Sequence, residues 1–179
     1  MSLFLYNHFM KLIMTYVIEF SAGAFYGWIY EIALELILHH AYTDRGILHM
    51  PLIPIYGFGC LLLLLLYRNK KHSALFILFT SALITTVLEL AVSYPLEKIL
   101  GYLPWSYAEW PLNFDGRISV LSSLLFGVLA AVFIKLIHPA CRKLERAPAV
   151  PVIVCGLILG TAILSDGIYV FTSSLIHTV

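Results

Sequence analysis

The apolar positions of this chain fall into long unbroken runs, not into the alternation of a strand or the single stripe of a surface helix. Five runs stand out, near residues 12–38, 54–67, 73–96, 118–137 and 150–176, each bounded by charges or by Pro and Gly. A helix needs about 20 apolar residues to cross a hydrocarbon layer about 30 Å thick, and all but the second run reach that length. Pro51, Pro54, Gly57 and Gly59 crowd the start of the second, so the chain can enter it as extended backbone. The pattern predicts an all-α, polytopic transmembrane helical bundle of about five spans, forming a single integral membrane domain over residues 1–179.

Composition closes off the alternatives. Apolar side chains make up 61% of the residues and charged ones 12%, too few to cover a water-soluble body of this size, and the same excess of apolar residues excludes disorder. With 11 basic and 10 acidic residues the net charge is +1, and the basic residues sit in short clusters between the runs, so no nucleic-acid partner is expected. Cys60, Cys141 and Cys155 lie in or beside apolar stretches without metal-ligand spacing and read as packing residues. Residues 1–10 lack the basic start of a removable signal peptide, so the first span is expected to remain in the mature protein.

Lys and Arg in short loops are retained on the cytoplasmic side. Along a five-span path, Lys11, Arg68, Lys70, Lys71, Lys135, Arg142, Lys143 and Arg146 fall on one side, and Arg45, Lys98 and Arg117 on the other. This asymmetry predicts the N-terminus inside and the C-terminus outside. Tyr102, Trp105, Tyr107 and Trp110 then lie in an outer loop, where aromatic rings favour the headgroup level.

Ionisable groups inside spans are costly and call for partners. Glu31, Glu89 and Asp166 lie on spans that all run outward, and the helical rise puts them about 28, 24 and 24 Å from the inner edge, one layer in the outer half. Arg45 and Arg117 are the loop bases that can reach down to them, which suggests the pairs Glu31–Arg45 and Glu89–Arg117, or the crossed pairs, with Asp166 as a third acceptor or proton acceptor. Such pairs either hold a ligand or lock helices to loops, and the residues leave both readings open. Thr86, Ser93 and Glu97 extend the polar face of Glu89. Gly23 with Gly27 and Gly156 with Gly160 mark surfaces for close helix packing. Glu19 and Glu35 lie nearer the membrane edges, where water is within reach. Phosphate-loop, zinc-protease and serine-hydrolase motifs do not occur, so any nucleotide energy must come from a partner. His39, His40, Asp44 and His49 crowd one outer loop but read as solvated side chains, and neither metal nor cofactor is expected.

The run Gly27-Trp28-Ile29-Tyr30-Glu31, the Arg45-Gly46 step and the stretch Pro51-Leu52-Ile53-Pro54-Ile55-Tyr56-Gly57-Phe58-Gly59 resemble the type IV ABC-transporter permease family of small bacterial multi-span membrane proteins. Leu88-Glu89 with Ser93, Trp105-Ser106-Tyr107, and Asn113-Phe114-Asp115-Gly116-Arg117-Ile118 follow in that family's order, so the resemblance covers about residues 23 to 130. The family usually carries an acid where this chain has Ser106, so Glu109 or Asp115 must substitute for it or the contact is lost. The resemblance implies a bacterial inner-membrane permease subunit, partnered by a cytoplasmic ATPase or assembled as a homo-oligomer, that is not itself an enzyme. Residues 139–149 are the only inner stretch long enough to receive an ATPase, and a lipid-facing basic loop is the alternative reading.

The leading expectation is transport of a small solute through a polar site under the outer loops, built from Glu31, Arg45, Glu89, Arg117 and Asp166. Trp28, Pro54, Tyr56, Gly57, Trp105, Tyr107, Asn113 and Gly116 supply the loop motifs. A non-transporting scaffold or sensor with structural ion pairs is the alternative. An intramembrane enzyme is disfavoured, because no nucleophile and base share one span at helical spacing.

Overall fold

A computed structural model describes residues 2–42, 46–67, 71–103 and 105–176. The first apolar run is the core of a longer helix, α1 (Ser2–His39), which also takes in most of the N-terminal stretch. The second run is α2 (Pro54–Tyr67). Its 14 residues extend about 21 Å, less than a crossing. Among the described residues, four helical stretches are long and apolar enough to span a membrane: Tyr6–His39, Ala74–Ile99, Val120–Arg146 and Ala149–Ser173. The expected second span is therefore a short helix approached by non-helical chain. Pro51 and Pro54 explain this, because proline removes a backbone donor and turns the residue before it away from helix. Two backbone N–H groups of this stretch find partners inside the protein. Ile53 N–H donates to the Ala24 carbonyl at 3.1 Å and Leu52 N–H to Met50 O at 2.7 Å.

Helix α3 (Ala74–Leu100) starts at Ser73, whose hydroxyl accepts from Phe76 N–H, and ends at Gly101 in the left-handed region. It runs four residues beyond the expected end and carries Pro95 within it. The fourth run begins differently from expectation. Ile118–Ser119 (β2) pairs antiparallel with Asn113–Phe114 (β1), and α4 (Val120–Val132) starts only after the capping box made by Ser119 and Ser122. Asp115-Gly116 at the tip, both with positive φ, is the dipeptide that such tight hairpins favour. Past α4 the helix widens over Phe133–Ile137, just before Pro139, and continues as α5 (His138–Cys141) and a tight turn, Arg142–Arg146. The last helix is α6 (Ala149–Ile176).

Two compact units emerge, residues 1–65 with 137–179 and residues 66–136. In the first unit α1 is the organiser. Gly156 and Gly160 of α6 lie against Met14 and Val17, and Gly23 and Gly27 lie against Cys60 and Tyr56. A Cβ at Gly27 would overlap the Tyr56 ring. These are the close-packing surfaces read from the glycine spacing. Ala24, Leu48 and Leu52 form a buried cluster with Phe20, Met50 and Ile163 around it. Glu19 and Glu35, expected to reach water, are both buried.

In the second unit α3 and α4 pack antiparallel. Gly127 sits against Leu78 and Ala82, Thr86 Oγ1 bonds Ser123 Oγ at 2.5 Å, and Lys135 Nζ donates to the His72 carbonyl. Because Ser123 is level with Thr86, α4 begins beside about residue 89 of α3. The rest of α3, from Glu89 upward, rises past the start of α4 and is faced by the loop 101–119.

Candidate functional site

That offset brings the acids of α3 to the loop. Tyr107 donates its hydroxyl to Glu89 Oε1 at 2.8 Å. Arg117 reaches further up the helix: its Nη2 pairs with Glu97, its Nε with Asp115 at 2.9 Å, and its guanidinium carbon lies 4.1 Å from the centre of the Tyr94 ring. The expected contact of Arg117 with Glu89 is thus replaced by Glu97 and Asp115. These two carboxylates, Glu97 before Asp115, raise the Arg117 pKa further above its ordinary value, so the group is charged at every physiological pH. Arg117 is buried, and its Nη1 has no hydrogen-bond acceptor among the described residues. A buried donor without an acceptor is costly, and the Tyr94 ring is the other group against this guanidinium.

The loop is knitted so that this geometry holds. Arg117 N–H closes the hairpin turn on Phe114 O at 3.0 Å, and Tyr107 N–H donates to Gly116 O at 2.7 Å. Trp105 Nε1 donates to Arg117 O at 2.9 Å. Asn113 Nδ2 donates to the carbonyls of Ala108 and Trp110, and Asn113 Oδ1 accepts from Gly116 N–H. Gly116 has φ +65°, where a side chain would be strained. Ser106 Oγ accepts from Ala108 N–H at 3.3 Å, a turn that an Asp side chain makes equally well.

The first unit uses its acids to hold the chain that leads into α2. Glu31 accepts the Tyr56 hydroxyl, and Tyr56 fits because Gly27 leaves room for its ring. Asp166 takes the His49 ring at 2.8 Å and Met50 N–H at 3.0 Å. Pro54 opens α2, Gly57 packs against Phe20, and Trp28 stacks on Phe25. Arg45 and Asp44, and with Arg45 the pair Glu31–Arg45, lie outside the described residues. At the other end of this unit His138 Nδ1 bonds Glu19 Oε1 at 2.8 Å, and Lys11 Nζ donates to the carbonyls of Glu145 and Ala147, both at 2.7 Å. The residues not foreseen as partners, Tyr94, Glu97, His49 and His138, left faint signals. Glu97 stands two turns along α3 from Glu89, and Asp115 only two residues from Arg117.

A family model with the description "Putative ABC-transporter type IV" matches residues 18–171. The chain belongs to that family. Neither a curated protein nor a solved structure matches it. Membership in the ABC-transporter type IV family extends over both units, beyond the stretch 23–130 that carries the motifs, and takes in α5 and most of α6. With four helices of spanning length, this family member is a multi-pass membrane protein.

Proposed function

We propose that the chain is the membrane-spanning permease subunit of an ATP-driven transporter in the bacterial plasma membrane, and that Arg117 recognises its small polar solute. The observation that carries this reading is the buried Arg117 Nη1 without an acceptor among the described residues. Glu97 and Asp115 already neutralise the guanidinium. The suited acceptor therefore belongs to a neutral or zwitterionic solute, with Asp115 open to a cationic group, in preference to a bare anion. Glu89, through Tyr107, holds the loop that presents Arg117. Glu31 and Asp166 are the matching acids of the first unit.

The turn 138–146 is the docking point for the ATPase. It is tied to α1 at Lys11 and at Glu19, and it exposes Arg142, Lys143 and Arg146, a rigid basic corner on the side where Lys and Arg collect. The alternative, a non-transporting scaffold, is favoured by one observation: Glu31, Glu97, Asp115 and Asp166 each accept from a donor of the chain itself. Purification of the tagged protein in mild detergent separates the two. An ATPase that co-purifies and is lost when Arg142, Lys143 and Arg146 are replaced by Ala supports the permease; absence of any ATPase supports the scaffold.

A further inference from the structure

The second unit also contains an open cavity of about 410 Å³ lined by α3, the hairpin region and the start of α4. From this cavity we infer a binding site for one acyl chain of a phospholipid from the leaflet on the hairpin's side. Its size lies within the range of ligand pockets. The α3 wall lies about 12 to 18 Å along the helix from Ala74, well inside a hydrocarbon layer about 30 Å thick. Its lips, Leu83, Leu112, Phe114, Val120 and Leu124, are 40% to 77% exposed, so the cavity is open to the protein surface. It is continuous with an exposed apolar face of α3 that runs through Phe79, Leu83 and Val87.

The three hydroxyls in the wall do not make it a polar site. Thr86 Oγ1 bonds Ala82 O at 2.6 Å and Ser123 Oγ at 2.5 Å, Ser123 Oγ donates to Ser119 O at 2.8 Å, and Ser119 Oγ is held in the capping box with Ser122. With those groups engaged, a polar solute would lose its hydration there without replacement, whereas a hydrocarbon chain loses none. The inference rests on membrane embedding and not on the transport reading, so each can fail without the other.

Native mass spectrometry of the protein released from palmitoyl-oleoyl phosphatidylglycerol nanodiscs tests it. The wild type is expected to retain one lipid per chain. Val120→Trp and Leu83→Trp, filling the cavity from opposite walls, each lower the retained fraction about tenfold, equivalent to about two methylene groups denied burial. Ile158→Trp, at a comparably exposed position on α6, leaves retention unchanged. Equal retention in the wild type and in either folded cavity variant, or no lipid retained by the wild type, overturns the site. Using two walls leaves one variant to decide if the other fails to fold.

Discussion

Each unit joins a long helix to the segment that follows it by the same device, a Glu carboxylate accepting a Tyr hydroxyl: Glu31 with Tyr56 in the first unit, Glu89 with Tyr107 in the second. The units then part. In the first, the second acid, Asp166, accepts a backbone N–H and a His ring from non-helical chain, and so completes the hydrogen bonds of backbone that prolines keep out of a helix. In the second, the further acids Glu97 and Asp115 hold a guanidinium that keeps one buried nitrogen without an acceptor among the described residues. The further acids of the two units therefore serve different ends, and the donor decides which. A backbone N–H is satisfied by one acceptor, whereas the five donors of an Arg can be held by two carboxylates and still have capacity.

The contrast is broken most forcefully at Gly27. Gly27→Leu would drive a side chain into the Tyr56 ring, and overpacking of this kind costs about 1–3 kcal/mol before the lost hydrogen bond is counted. The expected outcome is a fall in unfolding midpoint together with greater protease access to residues 48–56. Next in size, Tyr56→Phe and Tyr107→Phe each remove one hydroxyl from a carboxylate. Double-mutant cycles with Glu31→Gln and Glu89→Gln should give couplings of about 0.6–2 kcal/mol in both units; a coupling in one unit alone would end the equivalence. Ser119→Ala removes the α4 cap of the second unit and should cost about 1 kcal/mol in reversible unfolding. The smallest effect sharpens the picture of the loop. Ser106→Asp keeps the acceptor for Ala108 N–H, and its stability should stay within about 0.5 kcal/mol of the wild type.

Much of the fold was legible in the residues. Unbroken apolar length marked the spanning helices, Pro51 and Pro54 marked the non-helical approach to α2, and the glycine spacing marked the faces where α1 receives α2 and α6. The short hairpin was overlooked although Asp115-Gly116 signals its turn, because two-residue strands leave no periodicity. The partners of Arg117 differ from those expected for a geometric reason. Counting heights along single helices treats loops as lying above their spans, but α4 starts well below the end of α3, so the loop lies beside the upper part of α3 and Arg117 meets Glu97 and Tyr94. By its place near the start of the first apolar run, Glu19 is expected to reach water. His138, 119 residues away, bonds it from α5, and no local pattern encodes a contact at that separation.

The recognition role proposed for Arg117 sets the second unit apart from the first, whose acids hold its own chain. Arg117→Lys tests it most directly, since Lys keeps the charge but loses the fork of donors. Cells carrying the variant should retain a wild-type amount of folded, membrane-inserted protein while an untargeted comparison of their solutes shows one neutral or zwitterionic compound class depleted. An unchanged solute profile at wild-type folded yield would contradict the account.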